Sequence, residues 1–215
     1  MLVHCSMTLA PGQAQDSVSE MLVRSLPLIK KLGWTLAGSY RVLNGPTRTI
    51  LNFWDIPDAN AFMALPGQLA EDPELCKIMV GLEEAMIHNE LTLLSEKKIP
   101  VTPADGAAKA PDEKTVYLRQ TVTALSGKAG AATELIKKSV PLLEKHGFRL
   151  LGSWGRATGA TGMVMILWQL PDSAKSPSIH DLVGKDAEVA RAFAAIADVS
   201  SSVELTYLNK MPYSP

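Results

Sequence analysis

The sequence has little cysteine and no excess of either charge. Only Cys5 and Cys76 occur among 215 residues, without Cys-x-x-Cys or Cys/His spacing, so neither a disulfide framework nor a metal site is predicted. Lys and Arg number 21 against 22 Asp and Glu, which leaves no field to attract nucleic acid. No apolar run approaches the roughly 18 residues of a membrane span, and no basic leader is seen. We therefore expect an unprocessed cytoplasmic protein without a nucleic-acid partner.

Familiar catalytic motifs are also lacking. The sequence contains no Ser/His/Asp set, phosphate-binding loop, dinucleotide fingerprint or paired-carboxylate pattern, and we expect no cofactor. Of the four histidines, His146 is predicted in the last turn of a helix and His180 in a loop. His4 and His88 fall on strands that could adjoin, where either could act as a general base.

What the sequence does contain is an internal repeat. At a spacing of 114 residues, Trp54 matches Trp168, and Glu90–Leu94 matches Glu204–Leu208. The alignment needs no gap, and a Pro- and Ala-rich stretch lies between the two copies. The predicted domains are repeat 1 (residues 1–98), a linker (residues 99–114) and repeat 2 (residues 115–212).

Each repeat has the pattern βαββαβ. The first strand is clearest in repeat 2, where Val116, Leu118 and Val122 alternate with polar residues. The first helix of each copy contains a proline, Pro27 or Pro141, and we expect a kink or two short helical pieces there. A hairpin, a loosely helical stretch, a second helix and a last strand follow. The first helices are predicted over residues 13–32 and 128–146. The second helices are predicted to begin at Asp72 and Asp186, and the last strands to span residues 88–94 and 202–208.

This order of elements is the ferredoxin-like plan, an antiparallel sheet with both helices on one face. The other face is too apolar to be left in water, and the second copy is the obvious cover. The predicted fold class is α+β: two ferredoxin-like βαββαβ repeats whose antiparallel sheets pack face to face as an intrachain dimeric α/β barrel.

Several strand segments resemble those of the NIPSNAP group of dimeric α/β barrels. In repeat 2 these are Tyr117–Thr121, Leu151–Trp154 and Met163–Trp168, and repeat 1 carries the same frame in Gly38–Arg41 and Leu51–Trp54. The resemblance covers both repeats and implies the barrel fold. It also implies a ligand site on the barrel face.

Arg119 is the leading candidate for that site, because an arginine among strand residues is costly to bury unless an anion or carbonyl meets it. The structural alternative is an ion pair with Glu204. Trp54 and Trp168 recur in both copies, which favours packing over chemistry. Repeat 1 has Val3 and Cys5 in place of Tyr117 and Arg119, so we expect at most one polar pocket. The candidate ligand-binding residues are Tyr40, Arg41, Asn52, Trp54, Tyr117, Arg119, Trp154, Arg156 and Trp168.

Two functions fit these observations. One is a small-molecule-binding barrel, which the resemblance extends to a cofactor-independent monooxygenase, isomerase or lyase acting on an apolar or aromatic compound. The other is a non-catalytic interaction or scaffold protein whose barrel is filled by Met163, Met165 and Leu167. A cavity lined by Tyr117, Arg119 and Trp154 would favour the binder. A homo-oligomer of the two-repeat chain is the other partner that we expect.

Overall fold

The chain divides into two compact units. A computed structural model describes residues 1–45, 48–96, 99, 115–158, 162–170 and 178–215. Unit 1 comprises Met1–Leu94 with Lys210–Pro215, and unit 2 comprises Ser95–Asn209. The predicted linker lies outside the described residues apart from Ile99.

Unit 1 is a four-stranded antiparallel sheet with its helices on one face. The strands pair in the order β4, β1, β3, β2. On the helix-covered face, Val18 and Leu22 of the first helix share a buried core with Val3 and Ile50 of the sheet. The elements are β1 (Leu2–Leu9), α1 (Gln15–Lys31), β2 (Thr35–Val42), β3 (Thr49–Asp55), α2 (Ala59–Glu71), α3 (Pro73–Glu84) and β4 (Met86–Glu96).

Unit 2 repeats this order of elements. Its strands pair as β8, β5, β7, β6, and Ile136 and Val140 of its first helix pack with Leu118 and Ile166 of its sheet. The predicted α+β class and the strand order of each repeat are confirmed. The elements are β5 (Val116–Ala124), α4 (Ala129–Lys145), β6 (Arg149–Arg156), β7 (Met163–Gln169), α5 (Ile179–Lys185), α6 (Ala187–Asp198) and β8 (Ser200–Lys210).

The stretch predicted as loosely helical is a regular helix, α2, in unit 1. Asp58 begins it by accepting a hydrogen bond from the backbone N–H of Ala61 at 2.9 Å, as an N-cap residue does. The helices that contain Pro27 and Pro141 are each continuous, which excludes two short pieces, while the kink that was the alternative stays a prediction. Pro27 and Val23, whose carbonyl loses its partner, are both exposed, and water can solvate that carbonyl while the opposite face holds the helix together.

Corresponding residues in the first strands of the two units differ by 115 in residue number, whereas those in the later elements differ by 114. Val3 lies opposite Trp54, while Leu118 lies opposite Trp168. The connection from strand to first helix is one residue shorter in unit 2, spanning 125–128 against 10–14. The gap-free alignment is therefore wrong over the first strand.

This one-residue shift changes which side chains correspond. Neighbouring residues of a strand point to opposite faces, so a slip of one exchanges the two faces. The counterparts of Tyr117 and Arg119 in unit 1 are Leu2 and His4, and not Val3 and Cys5 as the sequence alignment suggested. Corresponding residues of the two units are therefore 115 positions apart in the first strand and 114 positions apart elsewhere.

Among the described helices, none combines the length and the apolar character needed to cross a membrane.

Candidate functional site

The nine candidate residues are divided between the two faces of the sheets. Asn52, Trp54 and Trp168 lie on the helix-covered faces, where both tryptophans belong to the buried cores. Tyr40 and the trio of Tyr117, Arg119 and Trp154 lie on the helix-free faces, and Arg41 and Arg156 lie near the ends of their strands. The structure therefore does not gather the nine residues into one site.

Arg119 is half-buried on the helix-free face of unit 2. Its Nη2 donates to Oγ1 of Thr206 on β8 at 3.1 Å. The register places Thr206 directly opposite Arg119 and places Glu204 opposite Thr121. The hydrogen-bond partner across the strand pair is thus a hydroxyl two residues beyond the carboxylate that the sequence suggested.

A glycine beneath an aromatic ring is common to both helix-free faces. A Cβ atom at Gly152 would lie 2.4 Å from the ring of Trp154, and one at Gly38 would lie 2.8 Å from the ring of Tyr40. The ring two residues along the strand therefore covers the bare backbone of the glycine. In unit 1 the ring of Phe53 also contacts Tyr40, with a centroid separation of 5.8 Å.

The two strand histidines lie on adjoining strands, as the sequence suggested. His4 is opposite Thr92, and His88 is opposite Thr8 at the other end of the same strand pair. His4 is buried, and its ring lies 5.1 Å from that of Phe53. Within the described ranges, no group of three or more His, Cys, Asp or Glu side chains could hold a metal ion.

Unit 1 contains a pocket of about 70 Å³ between its helices and its sheet. Cys5 and Asn52 of the sheet and the indoles of Trp34 and Trp54 line it, and Met79 of α3 contributes to the opposite wall. Of the nine candidates, only Asn52 and Trp54 line this pocket. It lies beneath the helices and not on the helix-free face that sequence reasoning favoured.

The mouth of the pocket lies along the first half of β4. Asn89 and Leu91 line the pocket and are exposed, with Leu91 retaining 42% of its accessible surface. Met86 begins this strand and also lines the pocket. The pocket is therefore reachable from solvent beside β4.

Cys5 is the only ionisable residue among those that line the pocket, and it is kept neutral. Burial raises the pKa of its thiol to about 12, and Sγ donates to Oδ1 of Asn89 at 3.5 Å. A thiol that remains protonated at neutral pH is a poor nucleophile. The lining residues include no carboxylate and no imidazole, so they offer no ordinary acid or base.

The indole N–H of Trp34 is a buried donor without an acceptor among the described residues. The side chain is 3% exposed, and its ring stacks on Phe62 with a centroid separation of 6.3 Å. A buried donor without a partner typically costs about 1–3 kcal/mol. A ligand that brings an acceptor into the pocket would recover this loss.

A short hydrogen-bonded chain supports Asn52 from behind. Ser39 Oγ donates to Asn52 Oδ1 at 2.6 Å, and the Tyr213 hydroxyl lies 3.1 Å from the same Ser39 oxygen. Burial raises the pKa of Tyr213 above its ordinary value, although hydrogen bonds with Ser39 and Ser19 act in the opposite direction. The phenol therefore keeps its proton at neutral pH.

The corresponding region of unit 2 has different side chains. Gln120 takes the place of Cys5, Phe148 that of Trp34 and Ile166 that of Asn52. The indole of Trp168 donates to Gln120 Oε1 at 3.2 Å, so a protein group satisfies the donor there. Trp168 is the counterpart of Trp54, so this bond has no equivalent at Trp34, whose place is taken by Phe148 in unit 2.

Sequence reasoning missed Trp34, Cys5 and Tyr213. The contrasts of Trp34 with Phe148 and of Asn52 with Ile166 are visible when the two copies are compared. The contrast of Cys5 with Gln120 was hidden by the one-residue shift in the first strand.

Comparison with known proteins identifies the fold. No family model matches the chain, and no curated protein matches its sequence. The solved structure of an anthrone oxidase-like protein is 14% identical, with a TM-score of 0.72 over 99% of this chain and 92% of that chain. A provisionally assigned monooxygenase from Lactobacillus acidophilus NCFM is 12% identical, with a TM-score of 0.57 over 97% and 92% of the two chains.

The structural neighbours also include NIPSNAP proteins. An uncharacterized NIPSNAP domain protein from Burkholderia xenovorans is 19% identical, with a TM-score of 0.38 over 52% of this chain and 100% of that chain. The two longer matches confirm the predicted fold class, that of the dimeric α/β barrel proteins. Because one fold serves many chemistries, this likeness does not select a reaction.

Proposed function

We propose that this protein binds a small apolar or aromatic molecule in the pocket of unit 1. The observation that carries the proposal is a mostly apolar pocket lined by Trp34, whose buried indole N–H has no acceptor among the described residues. Binding sites for small molecules are typically apolar clefts with a few polar groups that fix orientation. The indoles of Trp34 and Trp54 would supply flat contact surface for a ring.

The size of the pocket limits the ligand. A cavity of about 150 Å³ is enough to take benzene in another protein, and the pocket here is about half of that. A single-ring compound therefore requires some side chains to move, or must extend through the mouth beside Leu91. Met79 and Met86 line the pocket, and methionine side chains change shape at little cost.

The chemistry of the lining residues favours binding and shielding over acid–base catalysis. A cofactor-independent monooxygenase, isomerase or lyase reaction stays a prediction from the family resemblance. It would require a substrate that reacts once it is removed from water, because the pocket walls provide no general base.

The helix-free face of unit 2 remains a second proposed site. Tyr117, Arg119 and Trp154 share that face, and the bond from Arg119 to Thr206 would orient the guanidinium for an anion or carbonyl. Met165 and Leu167 occupy the same face and are almost fully buried, which supports the scaffold alternative. Cytoplasmic location and self-association of the two-repeat chain also stay predictions.

Filling the pocket tests the main proposal. Phe193 is the counterpart of Met79, so Met79→Phe gives unit 1 the bulkier side chain of unit 2. We expect toluene, titrated against tryptophan fluorescence, to bind the natural chain and to bind Met79→Phe at least about tenfold more weakly, because the ring takes the ligand's space. The matched control, Phe193→Met, should leave toluene affinity unchanged.

Native mass spectrometry of the purified chain provides an independent readout. We expect a co-purifying organic compound on the natural chain and its loss from Met79→Phe. Equal toluene binding by both variants and the natural chain would place the ligand elsewhere and contradict the proposal.

A further inference from the structure

We propose that the pocket of unit 1 selects ligands that carry a carbonyl-type oxygen, and that Tyr213 is the positioning residue for this selectivity. Tyr213 would act through Ser39 by holding the Asn52 amide with its nitrogen toward the ligand. This inference rests on the proposed function, since it concerns the same pocket.

The first step is the direction of the hydrogen bonds. Ser39 is fully buried and Asn52 is 1% exposed, so neither can exchange its partner for bulk water. Ser39 has one hydroxyl proton, and its 2.6 Å bond to Asn52 Oδ1 is the shorter of its two contacts. The Tyr213 hydroxyl also forms a hydrogen bond with Ser19, whose own proton is donated to the Gln15 carbonyl. We assign the phenol proton to Ser39 Oγ, because Ser39 has no second proton with which to make its contact with Tyr213.

The second step is the orientation of the amide. Asn52 lines the pocket, whereas Ser39 and Tyr213 do not. Because the amide oxygen of Asn52 is bound to Ser39, it is turned away from the pocket. The part of the amide that reaches the pocket is the nitrogen, which carries two donor hydrogens.

The third step is the balance of donors and acceptors in the pocket wall. Trp34 adds a second N–H donor that lacks a protein acceptor. The Asn89 amide oxygen accepts from Cys5, and the Ser25 hydroxyl donates to the Leu22 carbonyl at 2.7 Å. The groups left to meet a ligand therefore include the N–H donors of Asn52 and Trp34, and a carbonyl oxygen with two lone pairs complements these two groups.

The fourth step is the paired difference between the units. The counterpart of Asn52 is Ile166, and the counterpart of Tyr213 is Ile99, which is 3% exposed and belongs with Ile166 to the core of unit 2. Where the amide is replaced by an apolar side chain, the phenol behind it is replaced as well. This paired change is expected if Tyr213 serves the amide.

Two probes of nearly equal size and shape test the inference on the full chain. Acetophenone has a carbonyl oxygen, and ethylbenzene lacks it. We expect the natural chain to bind acetophenone about 5- to 10-fold more tightly, which corresponds to one or two net hydrogen bonds. In ¹⁵N-labelled protein the indole N–H signal of Trp34 should move downfield with acetophenone only, and Trp34→Phe assigns that signal.

The variant Tyr213→Phe removes one oxygen and keeps the ring. We expect the acetophenone preference to fall about 3- to 5-fold, while ethylbenzene affinity stays within about twofold. This ratio is the diagnostic readout, since a purely structural loosening would weaken both probes together. Tyr207→Phe, which removes a tyrosine hydroxyl in unit 2, is the matched control and should keep the full preference.

The outcomes separate the inference from the proposed function. Equal binding of both probes to the natural chain, or an unchanged preference in Tyr213→Phe, would overturn the inference alone. Failure of both probes to bind would overturn the proposed function, and the inference with it.

Discussion

The two units have the same order of strands and helices but different side chains beneath their helices. Unit 2 has Phe148 and Ile166 in its buried core and joins Trp168 to Gln120 by a buried hydrogen bond. At the positions of Phe148 and Ile166, unit 1 has Trp34 and Asn52, which line a pocket, and the indole N–H of Trp34 has no acceptor among the described residues. This order of elements is therefore compatible with apolar residues at the positions of Trp34 and Asn52. The ligand binding that we propose for unit 1 would explain why polar groups are present there.

The largest effect expected within this comparison comes from Trp→Phe at one buried tryptophan of each unit, Trp168 and Trp34, which are not counterparts because Trp168 matches Trp54. Trp168→Phe removes the bond to Gln120, strands the buried amide oxygen and leaves a small cavity, which together should cost about 3 kcal/mol. Trp34→Phe removes a donor that has no protein acceptor, so we expect a cost of only about 1 kcal/mol for the smaller ring. Urea unfolding of the two variants measures the difference.

A ligand-dependent result would sharpen this prediction. Toluene should stabilise the Trp168→Phe variant as much as the natural chain, because the pocket lies in unit 1. Equal losses of stability in the two variants without ligand would show that Trp34 makes a stabilising contact of the same value as the bond between Trp168 and Gln120. The proposed difference between a hydrogen-bonded indole at Trp168 and an indole without an acceptor at Trp34 would then be wrong.

The second prediction concerns the glycines beneath aromatic rings. Gly152→Ala places a methyl group 2.4 Å from the Trp154 ring, so the ring must be displaced, and we expect a loss of about 2 kcal/mol. At Gly38→Ala the nearest ring atom of Tyr40 is 2.8 Å away, and the loss should be about 1 kcal/mol. Thermal or urea unfolding of both variants measures the costs.

Removing the ring provides the control for the glycine prediction. In a Trp154→Ala background, Gly152→Ala should have almost no further cost, because the obstacle is gone. A full additional loss there would show that the backbone at this position, and not the ring, requires glycine.

The order of elements could be predicted from sequence because it rests on signals that are strong locally. Asp72 and Asp186 each precede a helix and accept hydrogen bonds from its first backbone N–H groups. The alternation of Val116, Leu118 and Val122 with polar residues is typical of a strand. The repeated glycine and tryptophan positions then support the same elements twice. These features depend on residues that are close in the sequence, so they can be recognised without knowing how the elements pack.

The faces of the first strand and the pocket could not be predicted in the same way. A connection shorter by one residue exchanges the faces of that strand, and no local pattern marks where the residue is lost. The pocket depends on the summed volume of side chains from six elements. It also depends on the replacement of Gln120 of unit 2 by Cys5 in unit 1, and the one-residue shift between the first strands hid this difference from the sequence alignment. Tyr213 reaches Ser39 across 174 positions of the chain, and nothing in the sequence pairs them.

The smallest expected effect separates two helix caps that are otherwise alike. Asp72 accepts from the N–H groups of Glu74 and Leu75 in unit 1, and Asp186 accepts from those of Glu188 and Val189 in unit 2. Among the residues that the structure describes, only the Asp186 carboxylate has a further side-chain partner, His146 Nε2 at 2.9 Å. The counterpart of His146 is Leu32.

The pH dependence of stability should reveal this extra partner. The hydrogen bond with His146, followed by those from the backbone of Val189 and Glu188, holds the pKa of Asp186 below its ordinary value. A carboxyl whose pKa is lowered by folding stabilises the fold at pH values above its unfolded pKa, and loses that contribution as the pH falls through the folded one. Asp186→Asn keeps a capping side chain but cannot ionise, so its urea midpoint should lie slightly below that of the natural chain at pH 7 and approach it below about pH 4. Asp72→Asn should show a smaller difference over the same range, and equal behaviour of the two variants would mean that His146 adds nothing to the cap.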